Sequence, residues 1–212
     1  MQLITRTRTS LSLEVNGEEI ELDLTHTPGS EIFEKHDDDK IVVGYLVQDS
    51  DCENPLENYD GIGAIHSLSR RHRNHMGIEE MRGILESDED AVMLSYYEHG
   101  QCLWDVMNGD RIVNCPDREW DQVEFAGIWV PDASARESYT GQDGKTRREW
   151  MVEQAESACK EFTAWCNGDC WGACVDTFNK EGEKTGDDAC WGLIRSEYAE
   201  KEMREQVEGA FK

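Results

Sequence analysis

No stretch of this 212-residue chain approaches the roughly 18 consecutive apolar residues of a membrane-spanning helix. Its first residues, MQLITRTRTS, lack the apolar core of a secretory signal. Both absences predict a soluble, unexported, cytoplasmic protein. Catalytic signatures are missing too. There is no GxSxG, no GxxxxGK and no HExxH, and the glycines of GIGAI at 61–65 lack the strand–turn–helix context of a phosphate loop. The sequence therefore assigns no catalytic residue and no cofactor, and a non-enzymatic role is expected.

Positive charge is also scarce. Twenty-one Lys and Arg stand against 46 Asp and Glu, for a net charge of −25 and a pI near 4.4. Such a chain is repelled by nucleic acids and anionic membranes, which disfavours direct binding to either. It is drawn instead to basic surfaces. High-salt adaptation also yields acidic, Lys-poor chains, and only eight residues here are Lys, but eight Cys and seven Trp do not suit that reading. In an unexported protein of this size, eight cysteines point to thiols rather than a disulfide framework.

The acidity is unevenly placed. Residues 13–60 carry a net −13, residues 61–85 a net +2, and residues 86–132 a net −10. Four segments could display it. In LSLEVNGEEIELDL, Asn16-Gly17 suits a tight hairpin turn that sets Leu13 opposite Ile20 and Leu11 opposite Leu22. The other face then carries Glu14, Glu19, Glu21 and Asp23. The remaining three are HDDDK with Asp37, Asp38 and Asp39; the stretch Asp49, Asp51, Glu53, Glu57 and Asp60; and ESDED with Asp88, Glu89 and Asp90.

Periodicity elsewhere predicts an α+β fold with a mainly antiparallel sheet, an N-terminal hairpin and two or three packed helices. The chain is long enough for a single domain over residues 1–212, with a subdivision into 1–40 and 41–212 as the alternative. IVVGYLV at 41–47 reads as a buried strand, residues 91–107 as two strands folded at His99-Gly100, and EFAGIWV at 124–130 as a strand ended by Pro131. GIEEMRGIL reads as a short helix with Ile78, Met81 and Leu85 on one side. Thr146 to Glu149 forms a capping-box pattern. It opens a helix whose stripe is Met151, Ala155, Ala158, Phe162 and Trp165, stopped at Asn167-Gly168. CWGACVDTFN and ACWGLI read as strands, followed by a helix with Glu197–Lys201 and Glu200–Arg204 pairs. Tyr96, Tyr97, Trp104, Trp129, Trp171 and Trp191 fall in strands and are expected mostly in the core.

Three segments carry part of a metal or thiol pattern. Residues 49–60 approximate a calcium loop's spacing, but Asn54 stands where the sharp turn needs Gly, and Pro55 follows. An exposed acidic turn is the better reading. His72 and His75 have zinc-like i,i+3 spacing, yet no Glu lies between them and Arg71 and Arg73 flank them. Arg70, Arg71 and Arg73 are expected to anchor the neighbouring acidic loop. Cys166, Cys170, Cys174 and Cys190 straddle a helix end and a strand, poorly placed for a zinc ribbon. These cysteines are expected to serve as small buried hydrophobes; a hairpin centred near Glu183 would bring Cys174 close to Cys190, with a cross-strand redox pair as the alternative. No metal is assigned.

The segments NPLENYDGIGAIHSLSRRHRNHM, SYYEHGQCLW, FAGIWVPD and WCNGDCWGACV…DDACWGLIRSEYA resemble a family of uncharacterised acidic proteins of bacteriophages and mobile elements. The similarity covers most of the chain after residue 41 and does not reach the acidic hairpin. The family has no assigned function or catalytic residues, so the resemblance implies a genomic setting only, an accessory gene of a phage or plasmid. In that setting the charge suggests an inhibitor, of anti-CRISPR or anti-restriction type, that mimics DNA. It would bind a basic nucleic-acid-binding host protein or complex in the bacterial cytoplasm. The alternatives are a metal- or thiol-dependent enzyme or regulator using His72/His75 or the Cys cluster, and an accessory protein without mimicry.

Overall fold

The computed structural model describes all residues except 1, 7, 8, 16, 31, 38, 142 and 143, and describes the side chains of 2–6, 15 and 58 not at all. The chain is α+β with antiparallel sheets and folds into two compact units, Met1–Cys52 with Gly168–Lys212, and Glu53–Asn167. The boundaries thus fall at 52/53 and 167/168, not near residue 40.

In the first unit, β1 (Gln2–Arg6), β2 (Ser10–Val15) and β3 (Glu18–Asp23) form a three-stranded sheet. The β2–β3 register matches expectation, with Leu11 opposite Leu22 and Leu13 opposite Ile20. Val15 pairs with Glu18, leaving a two-residue turn. Its Asn16 lies outside the described residues, while Gly17 adopts φ +86°, a conformation open to glycine at little cost. The N-terminal strand β1 was not expected from sequence.

A second sheet has the order β11-β10-β5-β4. It contains β4 (Phe33–His36), β5 (Lys40–Gln48), β10 (Cys170–Asn179) and β11 (Lys184–Ile194). Strand alternation gives this sheet two buried faces. One carries Ile41, Val43, Tyr45, Cys174 and Phe178, which pack against Leu11, Leu13, Leu22 and Leu24 of the hairpin. The other carries Val42, Leu46, Ala173 and Val175 against Ala199, Met203 and Val207 of the C-terminal helix (Ser196–Gly209). Gly44 lets that helix sit close, because a Cβ there would lie 2.5 Å from Met203 Sδ.

The second unit starts with α1 (Pro55–Asn58), where Asn54 caps the helix and Pro55 takes its first turn. The residues that argue against a calcium loop therefore mark a helix start. There follow β6 (Ala64–Ser67), α2 (Ile78–Ser87), β7 (Val92–Glu98), β8 (Cys102–Val106), α3 (Asp110–Val113), α4 (Arg118–Asp121), β9 (Gln122–Val130), α5 (Ala133–Glu137) and α6 (Arg147–Cys166). The C-terminal helix of the first unit is then α7. The sheet order is β6-β9-β7-β8. Helix α6 has the expected capping box at Thr146 and Glu149. It buries Met151, Ala155, Ala158 and Phe162 against Val92, Leu94, Trp104 and Trp129. Trp104 and Trp129 are core residues as expected, whereas Trp191 is 45% exposed.

In α7 the Glu200–Arg204 pair forms at 4.0 Å. Lys201 pairs instead with Glu205 at 3.7 Å, because Glu197 bonds Arg195 at the helix entrance. Among the described residues, no helix is long and apolar enough to cross a membrane.

Candidate binding surface

The hairpin delivers its carboxylates to solvent. Glu14, Glu19, Glu21 and Asp23 are all exposed, opposite in facing to the buried leucines. Glu14 and Glu19 are directly cross-strand, an arrangement of like charges that disfavours the pairing. No ion pair relieves Glu14, Glu19 or Glu21 among the described residues. Asp23 accepts a hydrogen bond from Ser10 Oγ at 2.8 Å.

Beside the leucine packing, a buried carboxylate that the sequence reading missed ties the end of this hairpin to its base. Asp176, on β10, is 1% exposed. It accepts from Thr25 N at 2.7 Å and Thr25 Oγ1 at 2.6 Å, just past the end of β3. Tyr45 Oη donates to it at 2.8 Å, and Lys184 Nζ lies 3.4 Å away. Burial, the donation to Asp176 and its negative charge keep the Tyr45 phenol protonated well above its usual range, although it also accepts from His26 N. The expected anchors do none of this. Arg70, Arg71 and Arg73 are exposed, and none forms an ion pair among the described residues. Their loop is closed by neutral groups around Ser67. Ser67 N donates to Asn74 O at 2.9 Å, Met76 N to Ser67 O at 2.8 Å, and Asn74 Nδ2 to Ile65 O at 2.8 Å. A loop whose polar groups are satisfied in this way needs no salt bridge to hold it.

The other acidic segments divide between surface and scaffold. Asp37 and Asp39 are exposed, and Asp37 also accepts from Asp39 N and Lys40 N, both at 2.9 Å, closing the β4–β5 turn. Those backbone donors hold its carboxyl below the usual range. Asp38 lies outside the described residues. Residues 49–60 do not form one loop. Asp49 accepts from Gly192 N at 3.0 Å and Asp51 N at 3.0 Å. Glu57 accepts from Asn54 Nδ2 at 3.0 Å, and Asp51, Glu53 and Asp60 are exposed.

ESDED is corrected most. Arg136 bonds Asp88 at 2.6 Å and Asp90 at 2.8 Å, while Arg147 grips both oxygens of Asp90 at 2.8 and 2.6 Å. The Arg136 bond holds Asp88 well below the carboxylate range, and the Arg147 bond does the same for Asp90. Asp90 is buried, so of the three only Glu89 remains fully exposed display surface. The physical reason is that α5 and the start of α6 bring two guanidinium groups to this turn, where paired charges are better satisfied than separate ones.

The histidine and cysteine constellations also come apart. His72 Nδ1 bonds Ser67 Oγ at 2.8 Å, and His75 Nδ1 lies 3.2 Å from Ser67 O. The His72 ring stands edge-on to Tyr96 and Trp104, and burial lowers its pKa. Together with Val123 these rings wall a small apolar cavity of about 240 Å³. Cys174 pairs with Ala189, and Cys190 with Ala173. The one-residue difference from the expected register places the two thiols on opposite faces of the sheet. Among the described residues, no group of three or more His, Cys, Asp or Glu is arranged to hold a metal ion.

Two further features escaped sequence reasoning. Asp132 caps α5 and accepts from Gly61 N at 2.7 Å and Gly63 N at 3.2 Å, which organises the GIG turn. A helix cap after Pro131 was the available signal. Trp120 on α4 is 86% exposed, with the half-exposed Val113 and Val123 in the same unit. Its charged flanks, REWDQ, were the hint that it is not core.

Comparison of the chain with models of protein families, with curated proteins and with solved structures finds no match.

Proposed function

We propose that this protein acts by binding rather than catalysis. It is an inhibitor carried by a bacteriophage or other mobile element, of anti-CRISPR or anti-restriction type. It works in the bacterial cytoplasm by occupying the basic, DNA-binding surface of a host defence complex. The observation that carries this reading is the Glu14/Glu19/Glu21/Asp23 ladder, a set of solvent-facing carboxylates on a β-hairpin whose opposite face buries Leu11, Leu13 and Leu22. Same-face residues on a strand are about 7 Å apart and neighbouring strands about 4.8 Å apart. That density lets several guanidinium groups of one cleft engage together. A scaffold that sets Glu14 against Glu19 gives up stability for which a cationic partner compensates. Asp37, Asp39 and Asp51 are further exposed carboxylates of the hairpin's own unit, and Glu53, Glu57, Asp60 and Glu89 are exposed on the other unit, whereas Asp88 and Asp90 are engaged by their arginines.

The test is retention from host lysate on tagged protein at low salt, with washes of rising salt. A nuclease or surveillance complex should be held, released as screening shortens the Debye length from about 30 Å at 0.01 M to 8 Å at 0.15 M, and competed off by duplex DNA. Changing Glu14, Glu19 and Glu21 to Lys together should abolish retention. If no salt-sensitive partner is held, charge mimicry is wrong.

A further inference from the structure

Strand β8 lies at the edge of its sheet, where unpaired backbone groups would otherwise template another strand. Helix α6 covers them. Thr163 Oγ1 accepts from Trp104 N at 2.9 Å. One turn on, Asn167 clamps Cys102 twice, its Oδ1 accepting from Cys102 N and its Nδ2 donating to Cys102 O, each at 2.9 Å. The residue between these two clamps that matters is Cys166. Its thiol hydrogen-bonds the Cys102 sulfur, so two thiols 64 residues apart in sequence meet where a strand begins and a helix ends. Cys166 is exposed and Cys102 half-buried.

The pair differs from the protein's other thiols. The Cys166 hydrogen bond lowers the Cys102 pKa below the ordinary thiol value, against the opposing effects of burial and of the Glu98 carboxylate directly across the β7–β8 pair. Cys52 and Cys170 are also in hydrogen-bond contact, but burial pushes Cys170 up to about 12. Cys174 is likewise pushed up to about 12. Cys159 is fully enclosed and raised further. A nucleophilic thiol needs thiolate character and access together.

We propose that Cys102 and Cys166 form a thiol–disulfide exchange site for low-molecular-weight disulfides of the glutathione class, closing to an intramolecular disulfide that staples the start of β8 to the end of α6. Cys102 loses its proton to solvent and its thiolate attacks one sulfur of the small disulfide. A mixed disulfide forms, the small S–S bond breaks, and one small thiolate leaves and takes up a proton. Cys166, deprotonated in turn, attacks the Cys102 sulfur and expels the second small thiol. Two protein thiols are oxidised to one disulfide, and one small disulfide is reduced to two thiols. The Asn167 clamp holds the two segments together before oxidation, so the bond closes on an arrangement already made.

The experiment treats the full folded chain with oxidised and reduced glutathione at graded ratios, then quenches with acid. Intact mass should fall by two hydrogens, and peptide mapping should find the Cys102 and Cys166 peptides joined. The apparent melting temperature should rise by several degrees and return on reduction. In the Cys166→Ser variant, confirmed folded by circular dichroism, a stable glutathione adduct should accumulate on Cys102. Wild-type mapping does not depend on that variant folding. Absence of the 102–166 link at every ratio, or a first link between Cys52 and Cys170, overturns the proposal.

Discussion

Replacing Asp176 with Ala tests whether one buried carboxylate holds the acidic hairpin on its base. The side chain receives three charge-assisted hydrogen bonds, from Thr25 N, Thr25 Oγ1 and Tyr45 Oη, at 2.6–2.8 Å. At about 1.5–3 kcal/mol each, their sum is on the order of 4.5–9 kcal/mol before compensation. Two effects reduce it. Thr25 is exposed, so its N–H and O–H return to water on truncation, and removing the carboxylate also removes its own desolvation cost. Tyr45 is buried and keeps an unsatisfied O–H. The net expected loss is about 3–5 kcal/mol, with Tyr45→Phe losing about 1–2 kcal/mol because it removes one donor to Asp176 and the acceptor of His26 N while leaving both Thr25 bonds. Urea unfolding gives the free energies, and hydrogen exchange of the β2–β3 amides locates the damage. Exchange there should accelerate while amides of α6, in the other unit, keep their protection. A loss under about 1 kcal/mol with unchanged hairpin exchange would refute the reasoning, since the leucine contacts alone would then suffice to seat the hairpin.

Asp90→Asn should destabilise the protein by about 2–3 kcal/mol in the same assay, because two guanidinium groups lose their shared partner, while Glu89→Gln should stay within about 0.5 kcal/mol. Asp88 and Asp90 are held below the carboxylate range in the folded state. Their contribution is therefore complete above the unfolded value near 3.9 and is lost as pH falls through the lower folded values. The Asp88→Asn/Asp90→Asn double variant should show a shallower stability decline than the wild type across that acid window in pH-dependent melting. Glu14→Gln with Glu19→Gln should leave stability unchanged or slightly raised at low salt and weaken partner retention; a clear loss of stability would show that these carboxylates serve the fold.

Much of the architecture is local and was legible in residue order. The alternation of LSLEVNGEEIELDL sets the hairpin register and its two faces, because side chains in a strand alternate with period two and Gly17 accommodates the tight turn. Thr146 and Glu149 announce α6 because a capping box is a bond between residues three apart. The overall charge, and hence attraction to basic surfaces, also needs no structure to read. What residue order did not determine is which carboxylates remain available to a partner. Asp90 and Asp23 are equivalent as letters, yet Arg147, 57 residues away, neutralises the first, while Asp23 faces solvent. Thr25 and Asp176 meet across 151 residues, and a single step of register moved Cys174 away from Cys190 while packing brought Cys166 to Cys102. Local pattern sets the facing of a side chain. Tertiary packing decides what it meets, because the energy of a buried or paired charge depends on the donors brought to within about 3 Å of it, and those come from elsewhere in the chain.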